Sequence, residues 1–342
     1  MILSLVLLLI LGVFVAGRIV RFMAHVGARS TGSESGRHFE EIVVENPEVD
    51  AKIAIVPVQG MISREFDPTG RDMVDVIEDQ LKLAAKDSDV KAVILKIDSP
   101  GGEVMASDDI SRALVQFQEK HKKPVIASMQ GLAASGGYYV AAPCRWIVAN
   151  ELTITGSIGV ILSSLNYRGL MDKVGLQPVV FKSGKFKDML RGSKRQDEIQ
   201  PEEQEMIQNM VMETYEKFKS VVRNGREQAA TQNGGKGRKL TDDWEKYADG
   251  RILTGKTARD LGFVDQLGNF QTAVDTAREL AGITGKARLV RYEEPFSLGR
   301  LLGLAVSSRA SANTHTLKID LGVDLPKVQA GRMYFLAPTF AH

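Results

Sequence analysis

Short apolar runs alternate with longer amphipathic runs over residues 53–129, and this pattern constrains the fold more than any other feature of the chain. The short runs have the length of strands, and the longer ones carry apolar residues at helical intervals. Further along, residues 146–148 and 178–181 predict strands, and residues 201–226 predict a long helix. Strands that alternate with helices indicate an α/β fold with a largely parallel sheet and helices packed outside it.

Composition narrows the class of protein. Of the 342 residues, 44% are hydrophobic and 25% are charged, which is typical of a folded globular chain. The net charge of +2 gives no reason to expect a nucleic-acid partner, and the basic residues 120–123 suit the end of a helix. Cys144 is the single cysteine, so an intrachain disulfide cannot form, and its apolar neighbours predict a buried side chain.

The N-terminus predicts a membrane anchor. Residues 2–16 carry no charge, and the apolar stretch becomes long enough to cross a bilayer if it continues to Met23, with Arg18 and Arg21 reaching the interface. We therefore predict a transmembrane helix over residues 1–23. A cleaved signal peptide is the alternative, disfavoured because no basic residue precedes the apolar run. Basic residues after the span, including Arg29, favour a cytoplasmic location for the domain that follows. Long domains are translocated across the membrane despite such charges, so the residues leave the membrane orientation open.

Composition also sets the expected domain limits. We predict a polar linker over residues 24–50, a catalytic domain over residues 51–285 and a C-terminal extension over residues 286–342. In the extension, residues 296–306 are helix-like. The apolar residues 333–338 could pack on a neighbour, lie on a membrane or occupy a groove, and packing is the first expectation.

Two glycine-rich turns follow predicted strands and are the candidate chemical sites. The first runs from Asp98 to Gly102, where paired glycines allow a backbone N–H to face a substrate. The second runs from Gly131 to Tyr139 and places Ser135 among alanines and glycines at a strand-to-helix turn, where a hydroxyl would be accessible. Taken singly, each turn is equally well explained as a tight turn that caps a helix.

A nucleophilic serine needs a base, and the five histidines lie in unsuitable places, two near each end of the chain and one at the basic helix end. A lysine can replace histidine if burial keeps its amine neutral. Lys182, Lys185 and Lys187 follow a predicted strand around a glycine turn. The residues alone do not choose among the three.

The order of five motifs resembles the signal peptide peptidase A (SppA) family over residues 53–281. The motifs are Ser99-Pro100-Gly101-Gly102, Ala133-Ala134-Ser135-Gly136-Gly137-Tyr138-Tyr139, Thr155-Gly156-Ser157-Ile158-Gly159, Ser183-Gly184-Lys185-Phe186-Lys187, and Asp249-Gly250-Arg251 with Leu261-Gly262-Phe263-Val264-Asp265. The resemblance implies a ClpP/crotonase-like fold. It also implies that Ser135 is the nucleophile, Lys187 the general base and Lys185 a bystander. By the same resemblance, Gly102 and Gly136 supply the oxyanion hole and Ser157 orients Lys187.

The same resemblance implies a membrane-anchored serine endopeptidase that degrades cleaved signal peptides or membrane protein fragments. It implies a homo-oligomer whose subunits jointly form the active-site groove, a catalytic domain on the extracytoplasmic side, and no metal or organic cofactor. We expect the charged residues within 194–198 to lie in a solvated loop and not to steer substrate.

Two alternatives of other classes stay open. A crotonase-type acyl-CoA enzyme shares the fold and would use a glutamate instead of Ser135 for acid–base chemistry. A non-catalytic membrane scaffold would bind peptides or partners without cleaving them. Acyl-CoA turnover that survives Ser135→Ala would favour the first alternative, and failure of Ser135 to react with an active-site probe would favour the second.

Overall fold

The computed structural model describes residues 39–66, 71–294 and 332–337. The predicted anchor over residues 1–23 and the helix-like residues 296–306 lie outside these ranges. None of the helices in the described ranges is both long enough and apolar enough to cross a bilayer. The strands are β1 (Glu40–Glu45), β2 (Lys52–Gln59), β3 (Val90–Ser99), β4 (Gly101–Glu103), β5 (Val125–Ala134), β6 (Trp146–Ala149), β7 (Ile154–Gly156), β8 (Ile161–Leu162), β9 (Ile252–Thr254), β10 (Gln266–Leu267), β11 (Arg288–Glu293) and β12 (Met333–Leu336). The α-helices are α1 (Met73–Lys86), α2 (Val104–His121), α3 (Gly136–Ala141), α4 (Arg168–Lys173), α5 (Pro201–Gln232), α6 (Gly255–Asp260) and α7 (Phe270–Leu280).

A largely parallel sheet is the centre of the described residues. Its order is β1-β11-β2-β3-β5-β6-β10, with β7 pairing with β5 and with β9. The ladders between β2, β3, β5 and β6 are all parallel, while β1 with β11 and β7 with β9 are antiparallel. The mixed α/β fold with a mostly parallel sheet expected from the sequence is therefore confirmed.

Helices cover both faces of this sheet, which explains why its strands are apolar almost throughout. Along β2, Ala54, Val56 and Val58 belong to one core cluster, and Ile53 and Ile55 belong to another on the opposite face. The first cluster includes apolar residues of α1 and α2, and the second includes those of α7. Burial of each large aliphatic side chain contributes about 1.5–3 kcal/mol, so this two-sided core anchors the ends of β3 and β5.

Two expectations about secondary structure differ from the structure. Residues 178–181 do not form a strand, and Val179 and Phe181 are 78% and 95% exposed. Their residue types suit a strand, but β-propensity depends on a partner strand and a packed face, and neither is present there. The sheet also extends beyond the predicted catalytic domain of residues 51–285, because β1 lies within residues 24–50 and β11 lies within residues 286–342.

Candidate active site

Ser135 lies at the junction between β5 and α3, as the sequence predicts. Its backbone has φ 55° and ψ −116°, in a region that costs a residue with a side chain of the order of 1–3 kcal/mol. Two hydrogen bonds hold this conformation: the Ser135 N–H donates to the Gly156 carbonyl at 2.8 Å, and the Tyr139 N–H donates to the Ser135 carbonyl at 2.8 Å. A strained serine between a strand and a helix is the geometry of a nucleophile elbow.

The Ser135 hydroxyl is buried and unpaired. The residue is 0% exposed, and its Oγ has no hydrogen-bond partner among the described residues. Leaving a buried polar group unsatisfied costs about 1–3 kcal/mol, so such groups are rare unless they have a role. This hydroxyl is free to donate its proton to a base.

Gly102 lies beside this turn with its amide directed away from Ile62 and towards β12. The neighbouring Ile62 N–H donates to the Gly101 carbonyl, and the Glu103 N–H donates to the Ile62 carbonyl, both at 2.8 Å. Because successive backbone groups of a strand point to opposite sides, the Gly102 N–H faces the other way. A methyl group on Gly102 would collide with the Ile62 backbone, so the close approach requires glycine.

Gly136 brings the second predicted oxyanion amide to the same place. A methyl group built on Gly136 would lie 3.0 Å from the Gly102 nitrogen and 2.7 Å from Ser107 Oγ. As the first residue of α3, Gly136 has no partner for its N–H within the helix, where the helix dipole also favours a negative charge. The structure therefore brings Ser135, Gly102 and Gly136 together.

A second, small sheet crosses this site. In it, β12 runs between β4 and β8 and is antiparallel to both. Phe335 lies opposite Gly102, and Leu336 lies opposite Gly101. Of the three places expected for residues 333–338, the described part thus occupies a groove, beside the glycines of the predicted oxyanion hole.

The register of β12 defines which carbonyl faces the glycine amides. The Ala337 N–H donates to the Pro100 carbonyl at 2.9 Å. Hydrogen-bonded pairs of an antiparallel ladder recur every second residue, so Phe335 and Gly102 form the next such pair. A methyl group on Gly101 would collide with the Phe335 carbonyl oxygen and lie 2.7 Å from the Gly136 nitrogen. The Phe335 carbonyl therefore lies beside both predicted oxyanion amides.

Ser157 lies next to the predicted nucleophile but is not hydrogen-bonded to Lys187. It follows β7, in which Gly156 pairs with Ala134, so the two serines continue from adjacent strands. Ser157 is buried, has φ 50°, and donates its N–H to the Arg251 carbonyl at 2.7 Å. Its predicted hydrogen bond to Lys187 is absent from the described residues, so the orienting role of Ser157 stays a prediction.

Lys187 lies in an exposed segment without regular secondary structure. Its ammonium makes no hydrogen bond or ion pair within the described ranges, whereas Lys182 pairs with Asp188 at 2.9 Å and Lys185 pairs with Glu202 at 3.1 Å. Of the three candidate bases, Lys187 is thus the one with an uncommitted amine. The burial that a neutral lysine requires is not provided at this position, and Ser135 and Lys187 are not joined by a hydrogen bond.

The expectation of a solvated loop over residues 194–198 is wrong for its first residue. The Lys194 side chain is 6% exposed and pairs with Glu203 at 2.5 Å and with Asp188 at 3.3 Å. Burial opposes the charge, but the hydrogen bonds to the two carboxylates outweigh it and raise the pKa of Lys194. This lysine connects the segment that carries Lys187 to the start of α5.

The single cysteine and the histidine of α2 have structural roles. Cys144 is fully buried, and burial raises the pKa of its thiol to about 12, so it remains protonated. His121 lies at the end of α2 and packs on Phe117, with ring centroids 5.5 Å apart. Neither residue has the setting of catalytic chemistry.

Sequence reasoning missed the aromatic residues that border the site. Tyr139, Phe218 and Phe335 pack together beside Gly102, although they are far apart in the chain. Phe218 lies in the long helix that the sequence predicts, and it is fully buried. No local signal connects it to residues 333–336, which join the site through long-range strand pairing.

The strained serine, its unpaired hydroxyl and the two adjacent glycine amides form an arrangement typical of a hydrolase site on a parallel α/β sheet. The family model of peptidase family S49 matches residues 117–284. The proposed protease slr0021 of Synechocystis sp. is 42% identical over 212 residues, which cover 62% of this chain and 71% of that protein. The chain therefore belongs to peptidase family S49, the SppA family of serine peptidases.

Two further relatives are longer than this chain. The chloroplastic serine protease SPPA of Arabidopsis thaliana is 35% identical over 250 residues, covering 71% of this chain and 35% of that protein. Protease 4 of Salmonella typhi is 34% identical over 229 residues, covering 67% of this chain and 34% of that protein. The chain thus spans about a third of these two proteins. A solved mutant of the 1510-N membrane-bound stomatin-specific protease aligns with a TM-score of 0.38 and 16% identity over 66% of this chain and 84% of that one.

Proposed function

We propose that this protein is a membrane-anchored serine endopeptidase in which Ser135 is the nucleophile and Lys187 is the general base. The observation that carries the proposal is the strained Ser135 with an unpaired, buried hydroxyl beside the amides of Gly102 and Gly136. Family membership favours peptide hydrolysis over the acyl-CoA alternative.

The reaction follows from these groups. The neutral Lys187 amine removes the Ser135 hydroxyl proton, and the serine oxygen bonds to the carbonyl carbon of the peptide. The Gly102 and Gly136 N–H groups donate to the resulting oxyanion. The C–N bond then breaks as the Lys187 ammonium protonates the leaving amine. Water attacks the acyl-enzyme, gives its proton to Lys187, and releases the carboxylic acid as Ser135 regains its proton.

An extended peptide suits the groove as substrate. In the structure a segment of the chain itself, β12, lies there as a strand between β4 and β8. A strand gains its affinity from main-chain hydrogen bonds and presents alternate side chains to pockets. Cleaved signal peptides and membrane protein fragments lack fixed structure and can adopt this conformation, so we propose them as substrates.

We further propose that neighbouring subunits complete the site. Lys187 is exposed, so a second surface must bury it before its amine can act as a base. The preceding segment exposes large apolar side chains, as a surface that binds another subunit would. They are Leu165, Leu170, Val174, Leu176, Val179 and Phe181. A homo-oligomer built through this segment would bring Lys187 to the Ser135 of a neighbour.

The membrane part of the proposal rests on the apolar N-terminal residues, which lie outside the described ranges. We propose that residues 1–23 anchor the chain and that the peptidase domain lies on the extracytoplasmic side. Protease protection in sealed membrane vesicles tests this orientation. Digestion from the cytoplasmic side alone would contradict it.

The test of the catalytic dyad is casein digestion by the full chain in detergent micelles. Ser135→Ala and Lys187→Ala should each lower the rate by on the order of 10⁴-fold or more, as loss of either member of a cooperating pair does in serine peptidases. Lys185→Ala is the matched control and should digest normally. Normal digestion by Lys187→Ala would identify the wrong base, and acyl-CoA turnover that survives Ser135→Ala would favour the crotonase alternative.

A mixing experiment tests whether two subunits share the site. Ser135→Ala and Lys187→Ala chains are co-expressed and purified together. If one subunit supplies the serine and its neighbour the lysine, mixed assemblies should regain part of the activity. Mixed assemblies that stay inactive would place both residues of the dyad in one chain.

A further inference from the structure

The ring of Phe335 occupies an aromatic pocket at the site. Its centroid lies 4.8 Å from that of Tyr139, nearly parallel to it, and 4.6 Å from that of Phe218. The Tyr139 and Phe218 rings also meet edge to face at 4.9 Å. All three residues are 0% exposed, so the pocket formed by Tyr139 and Phe218 is filled by one aromatic side chain of β12.

The pocket is built from rigid elements. Tyr139 lies in α3, four residues after Ser135, and its hydroxyl donates to Asp108 Oδ1 at 2.6 Å, which fixes the ring. Phe218 lies in the middle of α5, where its burial is complete. Side chains held in this way keep the pocket in place when β12 is replaced by another strand.

The main-chain register relates this pocket to the reaction. The carbonyl of Phe335 lies beside the amides of Gly102 and Gly136, where the proposed mechanism holds the carbonyl that is attacked. A peptide bound in the same register would place the side chain of the residue preceding its cleaved bond where the Phe335 ring lies. β12 thus marks both the path of a substrate strand and the pocket that takes one of its side chains.

We propose that Tyr139 and Phe218 select the residue that precedes the cleaved bond, and that the enzyme takes extended peptides with an aromatic or large aliphatic residue there. The inference rests on the proposed function and specifies its substrate class. This pocket is deep enough to bury a whole phenyl ring, since Phe335 is 0% exposed.

The test uses two quenched fluorescent peptides that differ only in Phe or Ala at this position. Even one methylene in a fitted apolar pocket changes kcat/KM about 10- to 200-fold, and Phe has six more side-chain carbons than Ala, so we expect the full chain to favour the Phe peptide by at least about 100-fold. Phe218→Ala should reduce this ratio to roughly tenfold or less. Because β12 competes equally with both peptides, the ratio is independent of how often β12 leaves.

Phe117→Ala is the matched control. It also removes a nearly buried phenylalanine from a helix, but Phe117 lies on α2 against His121, and the variant should keep the full preference. A ratio unchanged in Phe218→Ala, or reduced equally in both variants, would overturn the inference.

A second measurement does not depend on the folding of any variant. Mass spectrometry of casein fragments made by the unmodified chain should find Phe, Tyr or Leu before most cleaved bonds. Fragments cut mainly after Ala or Gly would overturn the inference alone. Cleavage that persists unchanged in Ser135→Ala would instead overturn the proposed function.

Discussion

The turn at Ser135 is buried in the fold, whereas the segment around Lys187 is largely exposed. Ser135 lies between a buried strand and a buried helix, with its neighbours fixed by backbone hydrogen bonds. Lys187 lies among exposed residues, in a segment that has short turns but no strand or long helix. The nucleophile and oxyanion amides are preorganised by the core, whereas the base is attached through a few ion pairs.

This difference predicts which residues determine the stability of the fold and which determine catalytic activity. Residues packed on the sheet should be costly to change because the core determines their positions. Lys187 itself should affect activity more than stability, since its final position depends on another surface. Four experiments test this contrast, from the largest expected effect to the smallest.

Breaking the buried ion pair behind the Ser135 turn should have the largest effect. Arg226 of α5 donates to the carbonyls of Ala142 and Cys144, just after α3, and pairs with the buried Asp265. Asp265→Ala should lower the free energy of unfolding by about 3–5 kcal/mol, because it leaves a buried charge unpaired. Urea unfolding measures this.

The control for this experiment is Lys185→Ala, which breaks the exposed pair with Glu202 near Lys187. An exposed pair contributes about 0–1 kcal/mol, so little change is expected. Equal destabilisation by the two variants would contradict the contrast between the regions.

Crowding the oxyanion hole should have the next largest effect. In Gly102→Ala the added methyl group collides with the Ile62 backbone and displaces the amide. Loss of one oxyanion donor costs about 10²- to 10³-fold in kcat. Gly131→Ala is the control, since a methyl group there meets no atom within 4 Å. Steady-state peptide cleavage compares them, and equal kcat values would exclude Gly102 from the oxyanion hole.

Releasing β12 should have a moderate effect in the opposite direction. Phe335→Ala removes the ring from its pocket, so β12 should leave the groove more often. The state in which the groove is open to a peptide substrate should therefore become more populated. We expect kcat/KM for both fluorescent peptides to rise by on the order of tenfold. A fall, or no change, would mean that β12 is a permanent part of the site.

Acid should loosen the Lys187 segment, the smallest effect. The hydrogen bond from Lys182, with that from Lys194, lowers the pKa of Asp188 below its ordinary value of 3.8. A lowered pKa means that the ionised carboxylate stabilises the folded state above pH 3.8, and this contribution is lost as pH falls through the folded value. The protection factors of the amides over residues 182–194, which compare each exchange rate with that of an unstructured chain at the same pH, should therefore fall a few-fold below about pH 4.

Asp188→Asn is the comparison for this experiment, because its amide carries no charge at any pH. The variant should exchange faster at neutral pH and lose most of the acid response. An acid response as large as that of the unmodified chain would show that another group controls the segment.

Patterns within short stretches of sequence predicted much of the fold. The alternation of apolar and amphipathic runs predicted β2, α1, β3, α2 and β5, because periodicity reports which face of an element is buried. The same reasoning failed for residues 178–181, where residue types suited a strand that had no partner. Lys194 was misjudged because a charge is buried only where partners from elsewhere, here Glu203, neutralise it.

The glycines and Ser135 could be located from sequence because their role is local. Neighbouring residues in the sequence are enough to recognise this feature, which is a glycine turn without room for a side chain next to a serine between a strand and a helix. The aromatic pocket could not be located this way, since it joins residues 139, 218 and 335 through helix packing and strand pairing.

The sequence by itself determined the order of elements, the strand-to-helix turn at Ser135 and the small residues that let backbones meet there, because these depend on neighbouring residues. The tertiary structure alone decided that β12 lies against Gly102, that Phe335 fills the pocket of Tyr139 and Phe218, and that Lys187 is exposed. Contacts between distant residues depend on the packing of the whole core, which no local pattern encodes.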